Sequence, residues 1–80
     1  MNIYLLTQTE NSGYDTYDSC VVAAENEDQA RMIRPNNDQW HNDYRIGNWA
    51  YTPEKVKVTL LGVAINGTKP NVICASYNAG

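Results

Sequence analysis

The segment Tyr14-Asp15-Thr16-Tyr17-Asp18 repeats a Tyr-Asp pair at a spacing of three. Two carboxylates and two phenols on one exposed loop can accept the forked donors of arginine side chains, which is the chemistry of docking on a basic protein surface. The same residues have a plainer use, since Asp closes turns through its own backbone and Tyr rings can lid a sheet edge. Glu10, Glu25, Glu27 and Asp28 surround the pair, so six of the nine acidic residues fall in the first thirty positions, which hold no Lys or Arg. Arg31, Arg34, Arg45, Lys55, Lys57 and Lys69 all come later, against Asp38, Asp43 and Glu54. The net charge of −3 thus conceals a polarised chain. Polarity of this kind steers association with a partner of opposite charge and says little about fold.

Other chemistry is thinly represented. His41 is the only histidine and lies between Asp38 and Asp43. A transition-metal site needs three or four ligands in defined geometry, and no second histidine or thiol lies near, so neither a metal nor acid/base catalysis is expected there. Cys20 and Cys74 form no C-x-x-C pair and sit in the apolar runs Cys20-Val21-Val22 and Val72-Ile73-Cys74-Ala75, where both are expected to be buried as small hydrophobes. The chain has no glycine-rich phosphate loop after a strand, no G-x-S-x-G and no H-E-x-x-H. We therefore expect no enzyme, no catalytic residue and no cofactor. Direct nucleic-acid binding is disfavoured as well, because the largest block of one sign is negative and the positive residues are scattered. Asn66-Gly67-Thr68 matches a glycosylation sequon but reads as loop chemistry.

Eighty residues make one small domain, 1–80, with a thin core worth only roughly 3–5 kcal/mol unless staples or association add to it. No apolar run approaches the ~20 residues of a membrane span. Met1-Asn2 leads straight into Ile3-Tyr4-Leu5-Leu6 without a basic n-region or small-residue cleavage site, so a soluble, cytoplasmic protein is expected.

The elements that must carry the acids follow from periodicity. Residues 2–8 read as a strand with two apolar faces, hence a central one, and 17–24 as a second strand joined antiparallel to it through the Glu10-Asn11-Ser12-Gly13 turn. Asn26 caps a helix of about two turns, Gln29 stands where a return bond to the cap can form, and Glu27 and Asp28 suit the positive end of the dipole. Arg31 and Arg34 would close that helix before Pro35, with Ala30 and Ile33 facing inward. Residues 36–53 lose all periodicity, and Trp40, Tyr44, Trp49 and Tyr51 are expected to gather there as a second hydrophobic cluster. Residues 55–61 then alternate with Val56, Val58 and Leu60 inward, and 72–77 make a last strand, read as a C-terminal hairpin with the preceding one. The order β-β-α-β-β predicts an α+β fold, an antiparallel sheet with one short helix on one face. Open edges and the uncovered face make a homodimer an expectation too.

With this layout, the strand start Met1-Asn2-Ile3-Tyr4-Leu5-Leu6, the strand-to-helix passage from Val21 to Arg31 and the ending from Val72 to Gly80 resemble the small acidic accessory proteins of phages and prophages, a group that includes anti-CRISPR proteins. The resemblance covers architecture over most of the chain and rests on no shared motif. It implies stoichiometric inhibition of a host defence complex in the host cytoplasm, often by carboxylates that occupy a nucleic-acid-binding surface. The expected binding residues are Asp15 and Asp18 at the centre, with Glu10, Tyr14, Tyr17, Glu25, Glu27 and Asp28 around them, and the expected partner is a protein with a basic nucleic-acid-binding surface.

Overall fold

A computed structural model describes residues 1–36, 40 and 47–78. In chain order they form β1 (Asn2–Thr7), β2 (Thr16–Ala24), α1 (Glu27–Arg31), a 3-10 turn at Pro53–Lys55, β3 (Lys57–Val63) and β4 (Asn71–Asn78). The strands make one antiparallel sheet in the order β3-β1-β2-β4, with the helix on one face, so the fold is α+β. β1 pairs with both β2 and β3, the central position that its two apolar faces predict. The expected C-terminal hairpin is not formed, because β3 and β4 lie on opposite edges. Gly67 takes φ +90° and Thr68 N donates to Ile65 O, so the turn chemistry is present. Crossing from one edge to the other takes about 14 Å, and residues 64–70 can reach about 23 Å, enough for the link to pass the open end of the β1–β2 pair, where Ala64 N donates to Met1 O.

Register sorts the side chains by face. Tyr4 pairs with Val22 and Leu6 with Cys20, and these residues join Ala24, Ala30, Trp49, Ala50 and Val56 in the core beneath the helix. Trp49, 1% exposed, is the largest fully buried side chain, and Trp40 packs against the same core. The aromatics expected to form a second cluster therefore complete the first, with Tyr51 half-buried and Tyr44 outside the described residues. Residues 37–39 and 41–46 of the long loop also lie outside the description.

The helix starts as its residues dictate. Asn26 Oδ1 accepts from Gln29 N at 2.8 Å, and Gln29 Oε1 accepts from Glu25 N at 2.6 Å, a return bond one residue earlier than the usual box. It is shorter than expected and ends at Arg31, whose guanidinium bonds Glu27 and reaches the Pro53 and Val56 carbonyls, tying the helix to the start of β3. Arg34 does not close the helix. It is buried, with its guanidinium 5.2 Å from the Trp40 ring centroid and against Gly47, where an added Cβ would meet Arg34 Nη2 at 3.2 Å. So short a helix also leaves the edge uncovered, and Leu60, expected inward, is 61% exposed. Cys74 departs from expectation too: it is exposed while Cys20 is buried. Cys20 pairs with Ala75 and Cys74 with Val21, which puts the two thiols on opposite faces of the sheet and precludes a disulfide between them without rearrangement.

Candidate partner-binding surface

The acidic turn between β1 and β2 is held from several sides. Gln8, buried at the end of β1, donates through Nε2 to the carbonyls of Asn11 and Tyr17 at 2.7 and 2.8 Å and accepts from Asn11 N at 2.9 Å. Asn11 Nδ2 reaches the carbonyls of Gly47 and Trp49, and Glu10 Oε1 accepts from Tyr51 N at 3.1 Å, so the turn is clamped onto the loop that carries the core tryptophan. Gly13 at φ +116° takes a conformation that costs a side-chain-bearing residue, and its carbonyl accepts from Thr16 Oγ1 and Asn78 Nδ2.

Asp15 is the one non-glycine residue at positive φ among those described, at +61°. Asp tolerates this region better than most residues, and its backbone N–H donates to Asn78 O at 2.6 Å. One carboxylate oxygen, Oδ1, accepts from the Tyr77 hydroxyl at 3.2 Å. Partial desolvation first, and the Asp15 carboxylate second, hold the Tyr77 phenol above its ordinary value. The Tyr77 ring lies 4.8 Å from that of Tyr17 at a tilt of 55°. Asp18 is the extra residue of a β-bulge, since Tyr17 and Ser19 pair with the consecutive Tyr77 and Ser76. Its Oδ1 accepts from Ser19 Oγ at 3.2 Å. Tyr14, 78% exposed, stands beside them.

The remaining acids are elsewhere. β2 carries the chain about 27 Å from Thr16 to Ala24, and Glu25, Glu27 and Asp28 follow at that far end, all exposed. Glu27 pairs with Arg31 at 3.2 Å, and Glu27 and Asp28 occupy the first helical turn. Of the eight residues expected to bind a partner, Glu10, Tyr14, Asp15, Tyr17 and Asp18 come together at the turn end, and Glu25, Glu27 and Asp28 form a separate group. Sequence reasoning did not single out Gln8, Asn11, Tyr77 or Asn78, which hold the turn in shape. Their partners are nine to sixty-five positions away in most cases, and no local pattern announces such bonds.

Burial, and then the charge of Cys74, push the Cys20 thiol up to about 12, so it is not a nucleophile near neutral pH. Among the described residues no group of three or more His, Cys, Asp or Glu could hold a metal ion. His41, Asp38 and Asp43 lie outside them. Among the same residues no helix is long and apolar enough to cross a membrane. Comparison with family models, with curated proteins and with solved structures finds no match to this chain.

Proposed function

We propose that this chain is a non-enzymatic binding protein whose turn end, centred on Asp15 and Asp18 with Glu10, Tyr14 and Tyr17 beside them, docks on a basic, nucleic-acid-binding surface of a protein partner. The observation that supports this reading is the backbone under the two central carboxylates. One stands at positive φ in the turn and the other at a bulge near the start of β2, and the turn is fixed by bonds from β4 and the 47–51 loop. Irregular backbone that the surroundings hold in place is where side chains are re-aimed for use. Asp15 and Asp18 each accept a hydrogen bond from a neighbouring hydroxyl through one carboxylate oxygen, which orients the group and leaves the second oxygen to accept from an arginine.

Glu25, Glu27 and Asp28 enter this reading as an outlying group that adds to the long-range field. The resemblance to small acidic phage proteins gives the reading its fullest form, an inhibitor that occupies the nucleic-acid site of a CRISPR-Cas type defence complex in the host cytoplasm. Reversing both charges in Asp15→Lys/Asp18→Lys is expected to weaken binding and flatten its salt dependence. Binding and inhibition equal to the unmodified protein would refute the proposal.

A further inference from the structure

The sheet has a second face, apolar along the middle and polar at its margins, where the register places Thr7, Ser19, Lys57, Thr59, Asn71 and Ser76. Register places Ile3 and Leu5 of β1 and Val21 of β2 opposite the helix side. Two bulges add to them. Leu61 is the extra residue between Leu60 and Gly62 opposite Tyr4 and Ile3, and Ile73 the extra residue between Val72 and Cys74 opposite Val22 and Val21. Each insertion thus adds a large aliphatic side chain to the same bare face, where Leu61 is 54% and Ile73 51% exposed. An antiparallel sheet that meets water on one face normally alternates apolar with polar, whereas strands apolar on both sides are characteristic of sheets covered twice.

We infer that this face is covered by a second copy of the chain, the two sheets packing face to face about a twofold axis. Charge selects that occupant. Among the described residues the paired positions put one charge on this face, Lys57 opposite Thr7, and the bulge residue Asp18 lies at that same end, next to Ser19, so the centre of the face carries no charge. A strongly charged partner finds nothing to pair with at the centre, whereas an apolar centre with a polar rim is complementary to itself, as an isologous interface requires.

The area suffices. Four strands about 4.8 Å apart and about 20 Å long present roughly 400 Å² in projection and about half as much again in accessible surface, so two copies bury on the order of 1,200 Å², the lower end of stable interfaces. Packing sheets in this way also leaves the acidic turn at the end of the sandwich, so the inference stands whether or not that turn binds a partner.

Cys74 supplies a built-in probe, since register places it on the bare face while Cys20 is buried on the other. Light scattering is expected to give twice the 9.0 kDa chain mass at high concentration. Thiol labelling of Cys74 should quicken several-fold on dilution. Leu61→Lys and Ile73→Lys, at positions already half exposed and therefore compatible with folding, should each return the mass to that of one chain with the far-UV spectrum unchanged. Leu60→Lys, equally exposed but on the helix side, should leave the dimer intact. A wild-type monomer at ~100 μM, far above the ~1 μM scale of specific association, would overturn the inference. So would a dimer that persists in both Leu61→Lys and Ile73→Lys, since pairing through a strand edge would tolerate those changes.

Discussion

The two ends of β2 carry the same number of carboxylates and use them differently. At the helix end, Glu27 and Asp28 lie in the first turn, where the dipole alone stabilises a negative charge by about 0.3–1 kcal/mol, and Glu27 also pairs with Arg31. At the turn end, Glu10, Asp15 and Asp18 meet no lysine or arginine among the described residues and are oriented instead by a backbone N–H, a phenol and a hydroxyl. At one end Glu27 and Asp28 are compensated by the element they open. The other concentrates uncompensated charge on a turn built from long-range contacts, and that difference separates acids that serve folding from acids available to a partner.

The comparison can be broken or sharpened at several sites. Gln8→Ala strikes the turn end hardest: it leaves half-buried backbone groups of Asn11 and Tyr17 without their partner and is expected to cost about 2–3 kcal/mol in denaturant unfolding. A loss no larger than that of Asn26→Ala would show the turn to be less rigidly built than proposed. Between the two ends, Cys20 links stability to pH. Its thiol binds a proton more tightly in the folded state, so its contribution is intact below about 9 and is lost as pH rises towards about 12. Unfolding curves should therefore steepen downward by at most about 1.4 kcal/mol per pH unit in that window, and Cys20→Ala should flatten the decline. Tyr77 shifts in the same direction and adds to the same trend. At the helix end, Asn26→Ala should cost about 1 kcal/mol through loss of the cap. Glu27→Gln should cost only about 0.5 kcal/mol, measured the same way, because both its interactions are exposed.

The parts of this molecule that could be read from sequence are those fixed locally. The Asn26 cap, its partner Gln29 and the acids of the first turn lie within a few positions of each other, and the helix begins where they say. The two apolar faces of β1 announced a central strand. Edge choice was not legible, since β3 and β4 satisfy the same alternation whether they pair with each other or flank the hairpin, and residues 64–70 are long enough for either. Arg34 looks like a helix-closing cation by position, yet its place is decided by Trp40 and Gly47. Cys74 sits in an apolar run whose exposure depends on β4 being an edge. The charge polarity was visible at once. Its division into two groups about 27 Å apart was not, because it follows from β2 lying straight between them.

The account is tested most directly by capture from a bacterial lysate on immobilised protein, comparing Asp15→Lys/Asp18→Lys with Glu27→Lys/Asp28→Lys. Both pairs change the charge equally, so only location distinguishes them. A nucleic-acid-binding protein retained by the unmodified chain should be retained by the helix-end variant and lost at least about tenfold by the turn-end variant, as expected when two interfacial charges of ~1 kcal/mol or more each are reversed. Equal losses in the two variants, or full retention by the turn-end variant, would contradict the account.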